Sequence, residues 1–275
     1  MGTRFLPASK AVPKVLLPVV DRPLIQYAVE EVVRAGISEV CIVVSPGHEH
    51  VARHFSQDPD LEAALEGSGK SDLLEIVRGL SSLAEVVTVV QDKPLGLGDA
   101  VGVAREFVGE HPFVVALPDE IYDAAGGVLE KMLSAFEERG EAVIAVTEVS
   151  SEEISLYGSI DPESEGELTK VRSVVEKPSR ESAPSNLAVI GRYVFTAEIF
   201  DHIDRASPGA GGEIQITDAI NSLAIADAVW ALRYSGRRWD CGRKDTYLQA
   251  IVALAAERDD LGPGFREFLS SLINE

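Results

Sequence analysis

Short runs of β-branched and aliphatic residues alternate with segments whose apolar positions recur every three or four residues, the pattern of a sheet built from βαβ units. Val40–Ser45, Val86–Gln91, Phe113–Leu117 and Ala142–Val146 are continuously apolar, which predicts strands covered by helices on both faces. The periodicity predicts helices over Ala100–Val108 and Val128–Glu138. Pro23 opens a further helical pattern, L-I-Q-Y-A-V-E-E-V-V-R-A, that stops at Gly36, with proline near the start and glycine past the end. Asp58–Ser82 is charged and helical in pattern, and reads as an insertion packed beside the main sheet.

The second half changes character. Ser159–Asp161 and Leu168–Glu176 flank the polar turn P-E-S-E-G-E, which predicts a hairpin. A strand is expected over Val189–Phe195 and a helix over Glu213–Ala224. Two more helices close the chain: Lys244–Arg258, with Tyr247, Ile251 and Leu254 on its apolar stripe, and Phe265–Ile273. No internal repeat or low-complexity linker interrupts the pattern, so a single domain over residues 1–275 with an elaborated second half is expected.

Charge narrows the functional classes. The 275 residues carry 45 Asp and Glu against 25 Lys and Arg, a formal charge of −20, which argues against an extended nucleic-acid or anionic-membrane surface. With 45% hydrophobic and 25% charged residues the chain is too apolar to be disordered. Cys41 and Cys241 have no metal-ligand spacing, and Cys41 lies in the strand-like V-C-I-V-V, so a reducing, cytoplasmic setting is expected. No apolar run approaches the roughly 20 residues that span a bilayer, and M-G-T-R-F-L-P lacks the apolar stretch of a signal peptide. His48, His50 and His54 do not share one helix face and read as solvated residues. No Ser–His–Asp or Cys–His set suggests a covalent nucleophile.

Against that acidic background, Gly2–Leu17 places Arg4, Lys10 and Lys14 in a loop restricted by Pro7 and Pro13. Glycine admits backbone N–H groups to an anion, and Arg and Lys neutralise phosphate oxygens. The plainer reading is a basic surface turn. Asp119 ends the apolar F-V-V-A-L-P-D, at the carboxyl edge where open α/β sheets bind ligands. Asp240 sits in the tight W-D-C-G context. A helix cap and a turn aspartate are the plain alternatives. Gln91 offers a donor and an acceptor that suit a base edge, with the glycines of G-L-G, Gly96 and Gly98, just beyond it to leave room for a base to stack. Glu176 and Lys177, adjacent on a strand, should face opposite sides unless the Lys177–Pro178 bend redirects one; a surface ion pair is the plain alternative.

The segment G-T-R-F-L-P-A-S-K-A-V-P-K, continuing through L-P-V-V-D-R-P-L-I-Q-Y, resembles the N-terminal consensus of the sugar-1-phosphate nucleotidyltransferases, nearest to the bacterial UTP–glucose-1-phosphate uridylyltransferases. The resemblance continues, in family order, through Q-D-K-P-L-G-L-G-D-A-V, L-P-D-E, V-E-K-P, S-N-L-A-V-I-G-R-Y-V-F, G-A-G-G-E-I-Q-I-T-D-A-I and W-D-C-G. It implies a Rossmann-like α/β nucleotidyltransferase fold: a central, mostly parallel mixed sheet flanked by helices, with a small β-hairpin elaboration in the second half. Residues 1–150 would form the nucleotide-binding half, 151–242 the sugar-phosphate-binding half, and 243–275 C-terminal helices available to an oligomer contact.

The implied reaction joins UTP and α-D-glucose 1-phosphate to give UDP-glucose and pyrophosphate, by in-line attack of the sugar phosphate on the α-phosphorus. The resemblance assigns catalysis to Arg4, Lys14, Asp119 and Lys177, and Mg²⁺ to Asp119 and Asp240. It assigns the nucleotide to Gly2, Gln91, Gly96 and Gly98, and the sugar phosphate to Gly158, Glu176 and Lys177. A homo-oligomer (dimer or tetramer) is expected, with neither nucleic acid nor membrane as partner. The chain departs from the family at Val15, where Glu is usual, and at Asp99, where His is common. It also begins where the family has a strand and a glycine turn, so Met1 is expected to be an internal methionine of a longer chain. Two alternatives stand beside this reading: a related enzyme using another nucleotide or sugar, such as dTTP, and a non-catalytic UDP-glucose-binding regulator. A glycosyltransferase is disfavoured, since L-P-D-E-I lacks an Asp-x-Asp metal motif.

Overall fold

The structure is a computed structural model describing residues 3–209 and 212–273. After three short 3₁₀ turns come β1 (Pro18–Val19), β2 (Arg22–Pro23) and α1 (Leu24–Arg34). Then follow β3 (Glu39–Val44), α2 (Pro59–Gly67), α3 (Ser71–Ser81), β4 (Glu85–Val90), α4 (Leu97–Gly102) and α5 (Arg105–Val108). β5 (Phe113–Ala116), β6 (Glu120–Tyr122), α6 (Val128–Arg139) and β7 (Ala142–Glu148) complete the first half. The second half holds β8 (Gly158–Pro162), β9 (Leu168–Glu176), β10 (Leu187–Phe195), α7 (Ile199–Arg205) and α8 (Ile216–Ile225). It ends with β11 (Val229–Arg233), β12 (Arg238–Asp240), α9 (Lys244–Glu257) and α10 (Gly262–Ile273).

These elements form two compact units, between which the chain passes more than once. The first gathers Met1–Glu30, Leu117–Gly126 and Gly236–Glu275; the second gathers Glu31–Ala116 and Gly127–Ser235. In the first, β1–β2 and β6–β12 are antiparallel pairs. Val19, Leu24, Ile121, Cys241 and Ala250 form its buried centre, with Tyr27, Trp239, Tyr247 and Leu254 packed around them. The stripe read for Lys244–Arg258 thus serves the unit's own core.

The second unit holds the main sheet, of order β5-β10-β7-β11-β9-β8. The sheet is mixed. Parallel pairing is confined, among the described residues, to β7–β11 here and to the separate pair β3–β4. The predicted hairpin is β8–β9, with Gly158 opposite Glu176 in register. β10 is buried at all nine positions and the apolar β7 at its first five, as strands covered on both faces are. The equally apolar β3, β4 and β5 are only partly buried, a correction to the expected full coverage. Their pairing accounts for it: among the described residues β3 and β4 pair only with each other, and β5 closes an edge of the six-stranded sheet. Between α1 and β10, Arg192 forks onto Glu31, Nε to Oε1 at 3.0 Å and Nη2 to Oε2 at 2.7 Å, with Arg192 fully buried.

Three helices depart from the sequence reading. The one expected over Ala100–Val108 starts at Leu97 and divides into α4 and α5, and the last starts at Gly262 rather than Phe265. The one expected from Glu213 begins at Ile216, because Glu213–Gln215 runs as extended chain against the Leu95–Gly98 loop.

Candidate active site

In the first unit, β6 and β12 pair so that Glu120 faces Asp240, which sets Asp119, one residue before β6, beside the end of β12. Lys14 follows Pro13 at the head of a 3₁₀ turn and reaches Asp119 with its Nζ 2.8 Å from Oδ2. Its side chain is only 14% exposed, whereas Asp119 keeps 38% exposure. The three charged groups converge on Gly242, whose N–H donates to Asp240 Oδ1 at 2.8 Å. A Cβ at Gly242 would lie 2.6 Å from Asp240 Oδ1, 3.3 Å from Asp119 Oδ2 and 3.5 Å from Lys14 Nζ. Only a glycine lets the backbone lie this close to both carboxylates.

Behind this cluster Glu120 is buried; its Oε2 accepts from the Tyr122 hydroxyl and is ion-paired with Arg238, 3.1 Å from Nη1. Burial pushes the Cys241 thiol up to about 12, with the neighbouring carboxylates adding and Lys14 opposing. Next to the candidate site, then, Cys241 is an inert neutral thiol rather than a nucleophile. Arg4 and Lys10 are exposed on the preceding turns. Gly2 lies outside the described residues.

Among the described residues no three His, Cys, Asp or Glu come together as a complete metal cage. Two hard carboxylates meeting at one point still suit a magnesium-type ion, which takes one or two protein oxygens and completes its shell from phosphates and water. The donor set therefore fits.

The second unit carries two further groups of predicted residues. Gln91, just past β4, donates from Nε2 to the Gly96 carbonyl at 3.1 Å and to Asp99 Oδ2 at 2.7 Å. Gly96 has φ +106°, and a Cβ there would lie 2.6 Å from the Ile214 carbonyl oxygen. Gly98 N–H donates to that same carbonyl at 2.8 Å, and Ile214 N–H to the Leu95 carbonyl at 2.6 Å. The room these glycines provide is taken up by the Glu213–Gln215 segment, which the chain itself lays against them; the space expected for a stacked base is not at their α-carbons.

In the third group, Lys177 has φ +41° and its N–H donates to the Tyr157 carbonyl at 3.1 Å, so the strand ends at Glu176 and the next side chain swings back. The alternation expected of neighbours on a strand is thereby broken, and Lys177 Nζ lies 2.8 Å from Glu176 Oε1. Thr217 Oγ1 donates to Glu176 Oε2 at 3.0 Å. Gly158 sits against both, since a Cβ there would lie 3.0 Å from Thr217 Cγ2 and 3.5 Å from Glu176 Oε2. Burial, with the Glu176 charge adding, holds the Asp218 carboxyl above its ordinary value. The sequence reading included Asp218 in the G-A-G-G-E-I-Q-I-T-D-A-I segment but gave it no role of its own; the signal was its place at the head of a helix. It likewise treated Asp99 only as a departure from the family, not as the partner of Gln91.

The family model described as Nucleotidyl transferase matches residues 1–257. The UTP–glucose-1-phosphate uridylyltransferase of Bacillus subtilis (strain 168) is 44% identical over 276 aligned residues, spanning 100% of this chain and 94% of the relative. That of Staphylococcus epidermidis (strain RP62A) is 41% identical over 99% of this chain and 95% of its own length. Among solved structures, a UDP-glucose pyrophosphorylase complexed with UDP-glucose superposes with a TM-score of 0.85 at 37% identity, covering 94% of this chain and 96% of the other. The UTP-bound enzyme from Acinetobacter baumannii reaches a TM-score of 0.90 at 38% identity, covering 98% and 95%.

Proposed function

The chain belongs to the nucleotidyl transferase family, and from that premise we propose that it transfers the uridylyl group of UTP to α-D-glucose 1-phosphate, releasing pyrophosphate and forming UDP-glucose. The relatives that carry this name align with the whole of this chain, and a structural neighbour holds each of the two uridine nucleotides of the reaction. The observation that carries the reading in this molecule is the convergence of Lys14, Asp119 and Asp240 on Gly242.

In this reading an oxygen of the sugar phosphate attacks the α-phosphorus of UTP in line and pyrophosphate leaves. Little covalent work falls to the protein, so its part is positioning and charge neutralisation. Asp119 and Asp240 would hold Mg²⁺, which when bound screens the phosphate oxygens against the incoming nucleophile. Lys14, buried along its stem and fixed by Asp119, offers its ammonium to the departing pyrophosphate, and exposed Arg4 adds a second cation. Lys177 takes the phosphate of glucose 1-phosphate, while Glu176, held by Thr217, accepts from sugar hydroxyls beside the bare backbone of Gly158. Gln91 reads the base. Gly2, Gly96 and Gly98 belong to the nucleotide loops, the last two by shaping the chain around Gln91.

Exposed apolar side chains on the closing helices, Leu248 at 60% and Phe268 at 54% among them, support a homo-oligomer; a light-scattering mass above one chain is expected. Both cysteines are free, in keeping with a reducing cytoplasm. Among the described residues no helix is long and apolar enough to cross a membrane. The direct test is to incubate the protein with UTP, glucose 1-phosphate and Mg²⁺ and measure pyrophosphate and UDP-glucose. Equal formation of both products is expected. Binding of UDP-glucose without turnover would instead favour the regulatory reading.

A further inference from the structure

Asp99 stands where the family commonly has His, and it is the closest partner of the residue assigned to the base. Gln91 Nε2 donates both of its hydrogens, one to Asp99 Oδ2 at 2.7 Å and one to the Gly96 carbonyl at 3.1 Å. A carbonyl oxygen and a carboxylate can only accept, so the amide cannot be turned over without setting its own oxygen against two acceptors. Gly96 is itself fixed, because its loop is bonded through Leu95 and Gly98 to both sides of Ile214. Gln91 Oε1 has no partner among the described residues and is the group left for a ligand.

We propose that Asp99 is a positioning residue for base selection: by holding Gln91 Nε2 it keeps the Gln91 carbonyl as an acceptor for a ring N–H. Uracil and thymine carry that N–H at N3, whereas cytosine presents a lone pair at the same position and meets an acceptor with an acceptor. The discrimination is partly repulsive, which is how a small difference between bases becomes a useful ratio. A plainer role for Asp99 is an acid in the first turn of α4 that favours the helix end; such a role would not distinguish one nucleotide from another.

The inference rests on the uridylyl reading, and the experiment separates the two. Dissociation constants for UTP, dTTP and CTP are measured by calorimetry with Mg²⁺ on wild type, Asp99→Ala and Asp99→Asn, with UDP-glucose formation followed in parallel. In Asp99→Ala only the Gly96 carbonyl still opposes the turned Gln91 amide, so the preference for UTP over CTP should fall about tenfold, the scale of one hydrogen bond exchanged for a repulsion. The ratio of UTP to dTTP should stay within about twofold, since both bases carry the ring N–H. Asp99→Asn, whose amide can accept from or donate to Gln91, should fall between Ala and wild type and provides the answer if the alanine variant does not fold. Equal weakening of all three nucleotides in the variants, with wild-type turnover intact, would overturn the role of Asp99 alone. A wild type that neither binds UTP nor forms UDP-glucose would overturn the uridylyl reading and this inference with it.

Discussion

Lys14 Nζ lies 2.8 Å from Asp119 Oδ2, an ion pair between residues 105 positions apart. It joins the basic loop at the beginning of the chain to the carboxylate that ends an apolar run more than a hundred residues later. The lysine stem is mostly buried while the aspartate faces out, so the pair presents a fixed positive charge next to an accessible oxygen. A half-exposed pair of this kind contributes little to stability. Its use is geometric.

Asp119→Asn therefore keeps the fold and loses the reaction. The amide preserves shape but removes a formal charge from the proposed metal shell, and turnover should drop about a hundredfold or more. Thermal melting should move by no more than a few degrees. Near-wild-type pyrophosphate release at saturating Mg²⁺ would remove Asp119 from the catalytic set.

Lys177→Ala should raise KM for glucose 1-phosphate and leave UTP affinity much less affected. The side chain is 57% exposed and its ion pair is with its neighbour Glu176, so the fold should not depend on it. Collapse of UTP binding with sugar-phosphate use preserved would mean that the two assignments are reversed.

Arg192→Leu should be among the more destabilising changes in the molecule. The arginine is fully buried and its carboxylate partner Glu31 is nearly so. Removing one member strands the other charge, at about 3–5 kcal/mol, or on the order of 10 °C in melting temperature for a chain of this size. The double variant Arg192→Leu with Glu31→Leu should recover part of that loss. A single variant that melts with wild type would contradict the assignment.

Alkaline pH should weaken the fold before it affects most surface groups. Burial pushes the Cys241 thiol up to about 12 and the Tyr27 phenol up to about 12. Unfolding returns both to their ordinary values, so above pH about 9 the unfolded chain holds fewer protons than the folded one, and stability falls as pH rises. Urea midpoints measured between pH 8 and 11 should decline, and Cys241→Ala should flatten part of the decline. A midpoint independent of pH over that range would contradict the burial of these groups.

Periodicity in the sequence was enough to place the principal elements. A continuous apolar run marked β7, a 3.6-residue repeat marked α1 and α6, and Gly36, with φ +92°, closed the first helix as its position implied. These signals are local, so they survive in a one-dimensional reading. The order of motifs along the chain likewise pointed to the chemistry of phosphates and sugars before any geometry was known.

Tertiary structure decided how those motifs meet. β6 and β12 are three residues each, too short for any period to show, yet their pairing brings Asp119 to Asp240. Lys177 turns back toward Glu176 through a positive φ that strand alternation does not predict. Gly96 and Gly98 are small because Glu213–Gln215, more than a hundred positions away, lies against them, and Asp99 acquires a purpose only beside Gln91. The β6–β12 pairing and the seating of Glu213–Gln215 against the two glycines are long-range contacts; the Lys177 turn and the Gln91–Asp99 bond are local, but rest on backbone conformations that periodicity does not record. Sequence periodicity records which face of an element is apolar; which distant segment that face meets is set by packing and backbone pairing across the whole fold.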